Sequence, residues 1–189
     1  KTVTPSHNVD LVFTRMLLGP MDYTPGGMRN SNERSFKAIR DIPRVQGTRA
    51  HMAAQYVLFL STLQMISDMP SEYMKEQKLL DFIAAVPTTW DDTKAIEGKM
   101  GEYVVIARRS GDKWFLGGMC GWGGKDVEID LSKFLPEGKY LAKIVRDTIN
   151  SDDIPEDYKI ETKKVTSDTK LKLSMRSGGG FAVKFMPYK

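Results

Sequence analysis

Glu102-Tyr103-Val104-Val105-Ile106-Ala107-Arg108-Arg109, then Ser110-Gly111-Asp112, then Lys113-Trp114-Phe115-Leu116-Gly117-Gly118-Met119-Cys120 is the stretch that decides the fold class. Two runs rich in β-branched and aromatic residues flank a glycine able to supply the positive φ of a tight loop, which is a hairpin signature. Downstream the texture repeats. The spacing predicts strands near 126–131, 138–147, 157–165, 169–176 and 180–186, beside those at 102–109 and 113–120. Leu171, Leu173 and Met175 alternate with Lys170, Lys172, Ser174 and Arg176, so that strand has one buried and one wet side.

Upstream of Pro87 the period changes. Met52, Ala53, Tyr56, Val57, Leu60, Leu63 and Ile66 recur at spacings of three and four, with Arg49, Gln55, Thr62, Gln64 and Asp68 between them. With Thr48 as N-cap and Pro70 as stop, this predicts a helix of roughly 20 residues. Ser71 opens a second helical segment whose apolar face is Leu79, Leu80, Phe82 and Ile83. Further upstream, Val9 to Leu18 forms a strand or short helix running into a loop punctuated by Gly19-Pro20 and Pro25-Gly26-Gly27. Pro87-Thr88-Thr89-Trp90-Asp91-Asp92-Thr93 is a connector. Helices first and strands afterwards read as two units rather than one interleaved sheet.

The 189 residues are 41% hydrophobic and 28% charged, which argues against disordered, collagen-like and coiled-coil chains. No run reaches the roughly 18 apolar residues of a membrane span, so membrane insertion is not expected. The net charge of +4 sits in residues 94–189, where basic and acidic side chains alternate. A nucleic-acid binder gathers its cations into a patch, so nucleic acid is not the expected partner. Cys120 is the single cysteine and excludes an internal disulfide. The chain opens at Lys1 without Met or an apolar leader, and its true N-terminus is expected elsewhere.

Catalytic parts are scarce. His7, His51 and Cys120 lie at no metal-ligand spacing, so no metal ligand is expected, and Cys120 reads as a buried, inert thiol. Gly117 to Lys125 is glycine-rich, but a strand rather than a helix follows it, so it lacks the amides of a phosphate loop. Phe13 to Gly27 is the most informative stretch. Its Asp22-Tyr23 pair, held in a Pro/Gly-braced loop, suits sugar recognition, with a carboxylate for hydroxyls and a ring for an apolar face. Pinning of the loop by Asp22 is the structural alternative. Asp10 is the one nearby carboxylate upstream, and it lies in an apolar run.

Several motifs, in order, resemble glycoside hydrolase family 97. They are Thr4-Pro5-Ser6-His7-Asn8-Val9, Phe13-Thr14-Arg15-Met16-Leu17 and Gly19-Pro20-Met21-Asp22-Tyr23-Thr24-Pro25-Gly26, followed by Val86 to Thr93, Gly101 to Arg109, Trp114 to Gly117 and Gly178 to Ala182. The resemblance implies an α-glucosidase or α-galactosidase with an N-terminal β-sandwich, a (β/α)₈ barrel and a C-terminal antiparallel β domain. The expected fold class is α+β by segment: the C-terminal end of a (β/α)₈ barrel followed by an antiparallel β-sandwich. Residues 1–86 would supply the last barrel strand and its closing helices, with the 48–69 helix outside the barrel. Residues 87–93 would be a linker and 94–189 the β domain.

The resemblance also implies calcium in the parent enzyme, held by glutamates that precede Lys1, with none bound by this segment. The family commonly has Glu where this chain has Ser6, and no catalytic role transfers to any residue here. Asp22 and Tyr23 would lie at the barrel's C-terminal face and touch substrate, with Arg15 steadying their loop from below. The expected partners are an α-linked oligosaccharide, the upstream domains of the same protein and a second copy through the β domain. The expected location is the periplasm or outside the cell. Alone, the chain is expected to be inactive, with residues 1–86 poorly packed or clinging to a partner. The alternative is a stand-alone β-sandwich that binds carbohydrate or mediates assembly, with Trp90, Trp114 and Trp122 as its sugar-stacking candidates.

Overall fold

Alternating apolar residues and well-placed turns give eight strands between Asp92 and Pro187 in a computed structural model that describes residues 2–188. In chain order the elements are α1 (Pro5–Phe13), β1 (Asn30–Ser31), β2 (Val45–Gln46), α2 (Arg49–Leu58), α3 (Pro70–Met74) and α4 (Gln77–Ala84). Then follow β3 (Asp92–Lys99), β4 (Tyr103–Ser110), β5 (Lys113–Cys120), β6 (Lys125–Asp130), β7 (Lys139–Asp147), β8 (Tyr158–Thr166), β9 (Lys170–Met175) and β10 (Gly180–Pro187).

Six strands make an antiparallel sheet in the order β3-β4-β5-β10-β7-β8, and β6 pairs with β9 in a second, two-stranded sheet. Strand alternation decides which residues face which layer. Val105, Ala107, Leu116 and Val183 share a core with Val127 and Ile129 of β6 and Leu171 and Leu173 of β9. Their neighbours Val104, Ile106 and Met119 turn the other way, onto Val9, Ala54 and Leu58 of the helical segment. The large sheet is thus covered on both faces. This explains why β4 and β5 read as nearly continuous apolar runs while β9, covered on one face, alternates.

The helix α2 lies against β10, β5 and β7, and all ten of its residues are buried. Close approach needs glycine beneath it. A Cβ on Gly117 would come within 3.0 Å of Val57 and Leu58, and one on Gly180 of β10 within 2.8 Å of the His51 Cα. The Thr48 hydroxyl accepts from the His51 amide and caps the helix. Both edges of the large sheet carry charge. On β8, Lys159 and Lys163 converge with Arg146 on Glu161. Burial pushes that carboxyl up, but these three cations prevail and hold it down at about 2. On β3 a bulge between Ala95 and Glu97 interrupts the ladder.

Three expectations change. The roughly 20-residue helix stops at Leu58, because Phe59 turns extended (ψ 134°) to bury its ring, and Leu63 and Ile66 stay on the surface. The three-and-four spacing continues past Leu58 without a helix beneath it. The linker at 87–93 already contains the start of β3, a strand hidden by its polar edge sequence Asp-Thr-Lys-Ala-Ile-Glu-Gly-Lys. Residues 1–86 are not loosely held, since Met28, Ala53, Tyr56, Val57 and Phe82 form one core with Phe115, Val145 and Ala182.

Candidate functional site

Thr4 caps α1 by accepting from the His7 amide, Pro5 occupies its first turn, and Asn8 is thereby set on the helix's buried side. A directional chain of hydrogen bonds starts at the loop that follows. The Tyr23 hydroxyl donates to Asn8 Oδ1 at 3.1 Å. Asn8 Nδ2 donates to His51 Nε2 at 3.0 Å, and His51 Nδ1 donates to the Gly179 carbonyl at 3.1 Å. Burial holds His51 down at about 4, so the imidazole is neutral, as its acceptor role toward Asn8 requires. Four separate segments are joined by these three bonds: the 19–27 loop, α1, α2 and the turn before β10.

The three residues singled out in the loop have different surroundings. Tyr23 is half-buried, edge-on to Phe59 with ring centroids 4.5 Å apart, and burial pushes its hydroxyl up to about 12. Asp22 is exposed. Arg15 donates to the carbonyls of Gly19 (3.3 Å) and Pro20 (3.2 Å), bracing the turn that presents Asp22. Beside Tyr23 lies a cavity of about 20 Å³ lined by Asn8, Gln55 and Ser67 among others, with both amide atoms of the buried Gln55 unpartnered. That is room for one water molecule, not a sugar ring. Tyr23→Phe should cost about 1 kcal/mol in urea denaturation by leaving Asn8 Oδ1 without its donor; an unchanged midpoint would remove the bond from the account.

The buried chain was only half legible. His7-Asn8 stood out as a motif, but nothing local announced that Asn8 meets a histidine 43 positions away, or that Gly179 closes the chain. Gln55 reads as a polar residue between apolar positions, yet it is buried. Asp147 was missed altogether: 2% exposed, it accepts from the Arg176 and Gly180 amides at 2.9 Å, and burial pushes its carboxyl up to about 6.

The remaining candidates fall into place around this frame. Cys120 is fully buried at the end of β5, with its thiol pushed up to about 12 by burial. The three tryptophans do not form an exposed row. Trp114 is in the sandwich core, Trp90 packs edge-on to Phe115 at 5.4 Å, and Trp122 alone lines a cleft. Among the described residues no three His, Cys, Asp or Glu side chains converge as metal ligands.

The family described as glycosyl-hydrolase 97 C-terminal, oligomerisation, matches residues 89–186. The chain belongs to glycoside hydrolase family 97 and carries the C-terminal β domain of that family of glycosidases. It is 43% identical over 178 residues to a retaining alpha-galactosidase of Bacteroides thetaiotaomicron, covering 94% of this chain and 27% of that protein. It is 28% identical to a probable retaining alpha-galactosidase of Streptomyces bingchenggensis, covering 95% and 25%. The chain therefore spans about a quarter of the length of the curated relatives it matches. A family 97 enzyme from Pseudoalteromonas sp. strain K8, solved with acarbose, superimposes with a TM-score of 0.86 at 34% identity, covering 98% of this chain and 29% of that one.

Proposed function

We propose that this chain is the C-terminal part of an exo-acting, retaining α-glycosidase that removes terminal α-linked galactose in preference to glucose. Its share of the work is to close the catalytic barrel, to hold the 19–27 loop at the active-site face and to join subunits through the β domain. The observation that carries this reading is the 43% identity to a retaining alpha-galactosidase along nearly the whole chain.

The chemistry needs one carboxylic acid to protonate the leaving oxygen and a second carboxylate about 5–5.5 Å away to attack the sugar. Asp22 is exposed while Asp10 has a buried, unpartnered oxygen, so these two do not offer that pair. Both catalytic groups, and the glutamates that would hold calcium, are assigned to residues before Lys1, in a protein carried to the periplasm or beyond. Here the Arg15-braced turn supports Asp22 as a hydroxyl acceptor at the rim, with Tyr23 anchoring the loop behind it.

The test is steady-state hydrolysis of p-nitrophenyl α-galactoside and α-glucoside by the full-length protein, with proton NMR of the first product. Galactoside should be preferred by about tenfold or more in kcat/KM, the discrimination expected of a site that bonds one hydroxyl in only one epimer. The first sugar released should be the α-anomer. Preference for glucoside would overturn the substrate, and a β-anomer first would overturn retention.

A further inference from the structure

We propose that the cleft at Trp122 is a binding site for a neutral oligosaccharide. It has a volume of about 420 Å³ and is lined by Trp122 from the β5–β6 turn, Asn32, Glu33 and Arg34 from the loop after β1, and Asp152 and Asp153 from the loop after β7. It shares no residue with the cavity beside Tyr23, and it does not depend on the hydrolytic reading above.

The floor of the cleft is fixed by bonds among segments far apart in sequence. The benzo edge of Trp122 lies on Gly178 so closely that a Cβ there would come within 2.5 Å of Cζ3. Ser177 ties the ring's backbone to the acidic loop: its hydroxyl donates to the Trp122 carbonyl, and its amide donates to Asp152 Oδ1 at 2.9 Å. Asn32 Nδ2 donates to the Asp152 carbonyl at 3.0 Å, closing the third side. A floor built in this way loses little freedom on binding.

The walls, by contrast, are uncommitted. Glu33, Arg34 and Asp153 are exposed, and their side chains have no hydrogen-bond or ion-pair partner among the described residues. A half-buried indole beside unspent carboxylates and a guanidinium matches the two surfaces of a sugar ring: an apolar C–H face for the aromatic, and a hydroxyl edge for polar groups in its plane. Asp152 is paired with Arg176 at 3.7 Å, and the remaining Glu33 and Asp153 against Arg34 leave the lining net negative, which disfavours a phosphate or another anion relative to a neutral ligand. Arg34 among the acids gives a cationic peptide a like charge to meet.

The chain's three tryptophans make the test direct, since each gives one indole N–H signal in a proton–nitrogen correlation spectrum. The isotope-labelled chain is titrated with panose and, separately, raffinose, with oligolysine as the contrasting probe. The Trp122 signal should move saturably at millimolar sugar while those of Trp90 and Trp114 stay in place. Trp122→Phe assigns the signal. Because that ring also packs on Gly178, the surface double variant Arg34→Ala/Asp153→Ala carries the decision: it should keep the spectrum and weaken sugar binding about fivefold or more, the loss of one or two hydrogen bonds. A Trp122 signal unmoved by either sugar, equal binding by the double variant, or saturation by oligolysine alone would each overturn the proposal. A binding readout needs no turnover, so failure of the hydrolytic reading leaves this result intact, and the reverse holds too.

Discussion

Leu58→Ala should lower the melting temperature of the whole chain by about 6–12 °C, in a single transition. The side chain is fully buried and stands over Gly117, with Val9, Ala54, Ile106 and Met119 in the same cluster. Truncating a leucine in such a place costs about 2–5 kcal/mol, because the transfer energy is lost and the cavity only partly collapses. Near the middle of that range, about 3 kcal/mol, a chain of this size shifts by the stated interval. Gly117 has no side chain to fill the gap, so relaxation is poor. Circular dichroism of the β signal is the measurement. A β transition that stays in place while a helical one moves would show that α2 and the sheet are separate units, contrary to their shared core.

The second large effect concerns acid, where two buried groups oppose each other. His51 is held near 4 in the folded chain against about 6.5 unfolded, so the unfolded state takes up its proton first, and stability falls as pH drops from about 6.5 toward 4. Asp147 is raised to about 6 against about 3.8 unfolded, so the folded state takes up its proton first, and stability rises as pH drops from about 6 toward 4. At about 1.4 kcal/mol per pH unit for each group, His51 costs about 3 kcal/mol between pH 6.5 and 4.5 and Asp147 returns about 2. The parent chain should therefore change by only about 1 kcal/mol over that window. Asp147→Asn should uncover the full histidine slope and lose about 3 kcal/mol. His51→Gln should uncover the aspartate slope and become more stable on acidification. Glu161, with its depressed value of about 2, takes effect only below about pH 4.5, where its contribution is lost as it protonates. Urea denaturation at pH 7, 5.5 and 4.5 separates the cases, and parallel profiles for all three chains would refute the opposition.

Most of the sheet was legible because its signals are local: the glycine at 111, the alternation along β9 and the β-branched content of β4 each state their structure within ten residues. The edge strand β3 was not, since an edge is selected for charge and irregularity, and its pairing is supplied wholly by β4. The end of α2 was illegible for the opposite reason. Leu60, Leu63 and Ile66 keep the helical period, and only the burial of Phe59 on the sheet, a tertiary fact, breaks it. Of the candidate site, the Arg15–Tyr23 loop was readable from its Gly and Pro punctuation. Its anchor was not: Asn8, His51 and Gly179 are brought together by the docking of two helices onto the β domain, and no spacing in the sequence records that. The surface shows a related pattern. Of the large hydrophobic side chains more than 60% exposed, Leu17, Leu18, Leu63 and Met74 lie in residues 1–86 and Ile149 lies in the β domain.

The central claim is that this chain supports catalysis carried out by residues outside it. Its most direct test compares the 189-residue chain with the full-length protein at equal concentration on p-nitrophenyl α-galactoside, with calcium present. The full-length protein should turn the substrate over and the chain should release no p-nitrophenol above the buffer rate, while showing the β signal and cooperative melt of a folded protein. Calcium-dependent turnover by the chain alone would place the catalytic carboxylates within residues 1–189 and contradict the account.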